Sequence, residues 1–350
     1  MFCGVLLPLV PALVYATGSF QPAGSADPCG RGDVIHLAEI IENTDRFQVH
    51  LSEHFRITSD APGEQLANMK EELEDTFSAV VRFHEKRLGT PSLPAERLDV
   101  IQFRKSTDYS RVASRLNPAH NTVPGFYHEP THSVVLLDLT AAAAEEATKA
   151  DSREAPRGES VEERMNRLVL RHETAHQVLF ALGVHARGAD NPLWLMEGLA
   201  CEFESVHGGD SPGTTVNRPR LGDLRYALNL RSLSTHEENF DPREPFRNEA
   251  LSPLRKLVSE DGVFQTENAR TAVRYAQAWA LVRYLVDRKE EAFQQYVKQV
   301  ASRPPDREFT AQEDLDRFEA CFGPLDVDFL RNWLQYVAEL PMSRRAKADD

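Results

Sequence analysis

Apolar and polar positions alternate at residues 47–58, where Phe47, Val49 and Leu51 are followed by Phe55 and Ile57, and this period of two predicts one or two strands. The period then changes. Leu66, Met69, Leu73, Phe77, Val80 and Val81 recur at helical spacing and predict an amphipathic helix over 64–88, ended by Gly89. Residues 98–103 predict a further strand, 108–116 a short helix, and 125–127 with 133–137 a hairpin. Residues 141–158 mix an alanine run with charges, Pro156 and Gly158, and predict a mobile loop or frayed helix. From Ser160 onward the pattern is helical, with helices expected at 161–182, 192–205, 221–230, 267–287, 290–301 and 325–338 and a polar loop near 235–250. Strands mixed with helices in the N-terminal half, followed by a helical C-terminal half, predict an α+β fold.

The first 26 residues carry no charged side chain, and the apolar run from Val5 to Tyr15 precedes the small residue Ala16, as in a signal peptide. The run is too short, and too interrupted by Pro8 and Pro11, for a membrane span. Residues 1–26 are therefore expected to be a leader, 27–44 a flexible segment, and the location secreted or periplasmic, in the cell envelope. No stable membrane span is expected in the mature chain. A formal net charge of −14 argues against nucleic-acid binding. Outside the leader, Cys29, Cys201 and Cys321 allow one disulfide at most and form no Cys-x-x-Cys motif.

Candidate chemistry is concentrated in the helix at 161–182. Ser160 followed by Glu163 forms a capping box, and Gly183 is a stop signal. The apolar stripe Met165, Leu168, Val169 continues through His172 and His176 to Leu179, so both imidazoles lie on the buried face one turn apart. His172-Glu173-Thr174-Ala175-His176 is the H-E-x-x-H pattern, in which two imidazoles hold a zinc ion and the glutamate acts on water. A core helix with two hydrogen-bonded histidines would show the same five residues.

Asn191 and Pro192 open a second helix with a stripe of Leu193, Glu197, Ala200, Cys201 and Glu204. A glutamate within an apolar stripe is costly unless a cation meets it. Two histidines and Glu197 would leave a fourth zinc position open, the arrangement of a catalytic site.

His172–His176 with Pro192-Leu193-Trp194-Leu195-Met196-Glu197-Gly198-Leu199-Ala200 resembles the gluzincin metallopeptidases, and most closely the peptidase-MA-like family of secreted bacterial proteins. The looser likeness spans roughly 45–340 and includes Ser52-Glu53-His54-Phe55 and Gly125-Phe126-Tyr127; the specific part is 172–204. The resemblance implies a thermolysin-type zinc peptidase core over 45–340, with a strand and helix part at 45–140 and a helical part at 160–340. It implies Zn2+ on His172, His176 and Glu197, Glu173 as general base, and a peptide or protein as substrate. By analogy with the related aminopeptidases, Tyr275, on a stripe with Trp279, Val282 and Val286, matches the tyrosine that supports the oxyanion.

The chain also departs from these families. Cys201 stands four residues after Glu197, where some gluzincins place an aspartate, so Glu204 or a backbone carbonyl is left to orient the imidazoles. The amine-binding motif of the aminopeptidases is absent, which leaves endo- and exopeptidase action open. The metzincin pattern fails, because Leu179 and Leu182 replace its glycine and third histidine and His185 falls three residues late, as a loop residue. Two rivals remain: a secreted zinc-containing binding or scaffold protein without catalysis, and a metal-free helical interaction protein with buried histidines.

Overall fold

A computed structural model describes residues 35–147, 159–205, 215–228, 252–264 and 269–341. The leader at 1–26, Cys29, the polar loop at 235–250 and His207 lie outside the described residues.

Alternating side chains build a five-stranded sheet from β1 (Gln48–Leu51), β2 (Phe55–Ser59), β3 (Leu98–Phe103), β4 (Gly125–His128) and β5 (Ser133–Leu137). The order is β1-β2-β3-β5-β4, with the central pairs parallel and the outer pairs antiparallel. Parallel pairing requires crossovers, supplied by α2 (Gly63–Arg87) and α3 (Ser106–Leu116). A Cβ at Gly125 would meet Val169 at 2.5 Å, whereas the next residue, Phe126, packs on Tyr109 of α3. Successive residues of a strand face opposite sides, so α3 covers one face of the sheet and α5 (Val161–Ala181) the other. The sheet is thus covered by helices on both faces, and β5 reads as a nearly continuous apolar run.

The helical half comprises α6 (Leu193–Cys201), α7 (Arg218–Ala227), α8 (Ser252–Ser259), α9 (Ala269–Arg288), α10 (Glu290–Ala301), α11 (Ala311–Phe322) and α12 (Val327–Glu339). The fold is α+β, a mixed sheet followed by helices. Among the described residues no helix is long and apolar enough to cross a membrane.

Two expectations need correction and a third is narrowed. Residues 37–40 of the segment expected to be flexible form a short helix, α1 (Leu37–Ile40), and Ile35 and Ile41 are buried in the core, because their apolar side chains find a surface to cover. Of the two alternatives for the stretch from 141, loop or frayed helix, the described part takes the helix, α4 (Leu139–Ala147), anchored where Asp138 accepts Thr140 N–H and Asn166 Nδ2–H. Residues 148–158 lie outside the described residues. Finally, α6 has no polar face: all nine of its residues are buried, and the apparent stripe belongs to a short helix enclosed on every side.

Candidate metal centre

Helix α5 is capped as its sequence requires, with Ser160 Oγ accepting Glu163 N–H at 3.1 Å and Glu163 accepting Ser160 N–H at 2.7 Å. Gly183, at φ 72, supplies the left-handed turn that ends it. Its second half is buried on every side, so each polar group there must find a partner inside the protein. Arg171 donates to Glu72, and Gln177 Nε2 donates to the carbonyls of Asp99 and His132. The hairpin after α5 brings α6 back beside it, held by the Asn191 side chain on the backbone of Ala186.

Helix α6 approaches α9 closely enough to fix Glu197. A Cβ at Gly198 would lie 2.6 Å from the Ala278 carbonyl oxygen, a contact open only to glycine. With α6 in place, His172 Nε2 and His176 Nε2 are 3.1 Å apart, and Glu197 Oε2 is 3.1 Å from the first and 3.5 Å from the second. These separations match the edges of a tetrahedron whose metal–ligand bonds are about 2.0–2.1 Å, roughly 3.3–3.4 Å.

Two imidazole nitrogens facing each other at this distance repel unless a proton or a cation lies between them. Glu197 is fully buried, and its other oxygen, Oε1, has no hydrogen-bond partner among the described residues. Burial pushes the Glu197 carboxyl up, but His176 and His172 outweigh it and hold it at about 2. Burial lowers His172, yet Cys201, Glu197 and Glu204 reverse that and raise it well above the ordinary range. Burial lowers His176, so His172 is the imidazole that its carboxylate neighbours bias toward the charged form. The donor atoms of His172, His176 and Glu197 fit a metal ion.

Glu173 projects beside this trio, with Oε2 accepting the Tyr127 backbone N–H from edge strand β4 at 2.8 Å. Burial raises its carboxyl to about 8, with His172 lowering it and Glu197 adding to the rise. A carboxyl near neutrality can accept and return a proton. Tyr275, fully buried on α9, has its ring 6.1 Å from that of His172. Burial, then Glu197, keep its phenol protonated and able to donate.

Behind His172 stands a carboxylate. His172 Nδ1 donates to Glu204 Oε1 at 2.9 Å, so that when the ring is neutral its Nε2 lone pair is the one turned toward His176 and Glu197. His172, Cys201 and Glu204 also lie close enough to suit a metal. Arg220 donates to both Glu204 oxygens there, at 2.7 and 2.9 Å, so a second cation would meet a guanidinium. Cys201 and Cys321 are free thiols.

The structure thus brings together all four residues of the expected centre and places Tyr275 beside them. His185 is buried against Phe180, with ring centroids 5.1 Å apart, and stays outside the clusters suited to a metal. Arg283 of α9 donates to buried Glu202 at 2.8 Å. Sequence reading missed Arg220 and Asn217. The available signal was Asn217 followed by Pro219, a cap and an early helical proline that start α7 ahead of residue 221.

A family model described as "Protein of unknown function (DUF1570)" matches residues 168–306, less than half of the chain but a stretch that holds both histidines, Glu173, Glu197, Glu204, Arg220 and Tyr275. No curated protein matches the chain.

Proposed function

We propose that this chain is a zinc-dependent metallopeptidase with a gluzincin-like core. The observation that carries the reading is the meeting of His172 Nε2, His176 Nε2 and Glu197 Oε2, from two helices, within 3.1–3.5 Å of one another. Two imidazoles and one carboxylate are the donor set of a catalytic zinc site. Bound zinc supplies Lewis acidity and brings water toward ionisation at neutral pH.

The protein's own groups do the rest. Glu173, held by the Tyr127 N–H, takes a proton from the attacking water and returns it to the leaving amine. Tyr275 donates its hydroxyl hydrogen to the oxygen that gains charge at the scissile carbonyl. Enclosure strengthens both steps, since Glu173 is 2% exposed and Tyr275 0%.

The same enclosure favours a second reading, a zinc-containing binding or scaffold protein in which the ion stabilises the fold. Glu173→Gln separates the two. It keeps zinc and abolishes hydrolysis of a peptide library if the first is right, and full retained cleavage rules out the role given to Glu173. The cleavage sites in that library also identify the substrate class.

A further inference from the structure

We infer that Arg220 is a positioning residue for the metal centre, acting through Glu204 on His172. The inference rests on the zinc reading above. Arg220 stands in the first turn of α7, is 4% exposed, and places Nε and Nη2 on the two oxygens of Glu204. Asn217, the cap of the same helix, adds a third donor to that carboxylate at 2.9 Å and a bond to the Cys201 carbonyl at 2.8 Å. Helix α7 thus grips the residues that follow α6.

A carboxylate this deeply buried needs several donors to hold it in one place. Arg220 Nε and Nη2 and Asn217 Nδ2 fix where the two Glu204 oxygens lie. Glu204 Oε1 in turn accepts the His172 Nδ1 hydrogen at 2.9 Å, which orients the ring with Nε2 toward the metal position. Arg220 therefore holds Glu204 in place, and Glu204 holds His172 as a ligand. The guanidinium carbon also lies 5.3 Å from the centre of the Tyr275 ring, so one side chain braces two parts of the site.

The test is zinc affinity, measured by competition with a chromogenic chelator, in the full chain and in Arg220→Met, Arg220→Lys, Glu204→Gln and the Met/Gln double variant. Loss of an outer partner of a ligating histidine typically weakens metal binding 10–100-fold. Arg220→Met and Glu204→Gln should each fall about that far, and Arg220→Lys, which keeps charge without the fork, should fall less. Because the two residues act in series, the double variant should bind no more weakly than Glu204→Gln alone. Melting of the metal-free proteins monitors folding, and a merely structural role would lower that melting point without moving affinity. Unchanged affinity in Arg220→Met, or losses that multiply in the double variant, would overturn the inference while leaving the zinc site standing. If the unmodified chain binds no zinc, the metal reading fails and this one with it.

Discussion

Gly198→Ala is the substitution in which two opposed effects are most clearly decided by magnitude. In a solvent-exposed helix, replacing glycine by alanine stabilises by up to about 1 kcal/mol. At Gly198 the added Cβ would lie 2.6 Å from the Ala278 carbonyl oxygen and 2.6 Å from Val282 Cγ2. Ordinary contacts of this kind lie near 3.4 Å or beyond, so α6 and α9 must part by about 0.8 Å. Neither neighbour yields easily, since one is helical backbone and the other a β-branched side chain largely restricted to one rotamer.

Overpacking of this kind costs about 1–3 kcal/mol, which, set against a gain of about 1 kcal/mol, leaves a net loss of about 0–2 kcal/mol. Because Glu197 is the adjacent residue, the same displacement would carry its carboxylate away from the histidine pair and weaken zinc binding. Urea denaturation of the metal-free chain and chelator competition read the two effects separately. Val282→Ala in the variant background should recover only part of the stability, since the carbonyl contact remains. A Gly198→Ala protein about 1 kcal/mol more stable than the parent, with unaltered zinc affinity, would refute the close α6–α9 approach.

Further outcomes follow from the same geometry. Asp261, whose Oδ1 accepts Leu193 N–H at 3.2 Å where α6 begins, is raised from the ordinary 3.8 to about 7, chiefly by burial. Its folded form thus holds the proton more tightly than the unfolded form, and stability falls as pH rises through that window. Asp261→Asn should match the parent near pH 4 and exceed it above pH 7 by about 1–2 kcal/mol, discounted for a half-buried group; a difference independent of pH would rule this out. Tyr275→Phe should retain zinc and folding and lower kcat about 100-fold, as for loss of an oxyanion donor. Unchanged turnover would remove Tyr275 from the mechanism.

The elements that sequence revealed are those whose signals are local. Ser160 with Glu163 marked the start of α5, and residues 98–103 and 290–301 matched β3 and α10 at both ends. The His172, Glu173 and His176 trio was legible because helical spacing alone puts both imidazoles on one face. Glu197 was legible because an acidic side chain amid Leu195, Met196, Leu199 and Ala200 demands a cation.

What failed to show depends on long-range packing. Burial of α6 on all sides hides any periodicity, since a helix without a polar face has no stripe. The order of β3, β5 and β4 is set by crossovers that pattern does not encode. Glu204 was legible as a candidate partner for the imidazoles, but the cation that holds it was not, because Arg220 lies 16 residues onward. The Thr310 and Glu313 capping box of α11 was present in the sequence, but the mixed composition before it obscured a helix there.

The central claim is tested most directly by elemental analysis of the chain after saturation with zinc and removal of loosely held metal, beside His176→Ala and Glu197→Ala. The account predicts about one zinc ion per chain in the unaltered protein and almost none in either variant. Equal zinc in all three, or none in the unaltered chain, would contradict it.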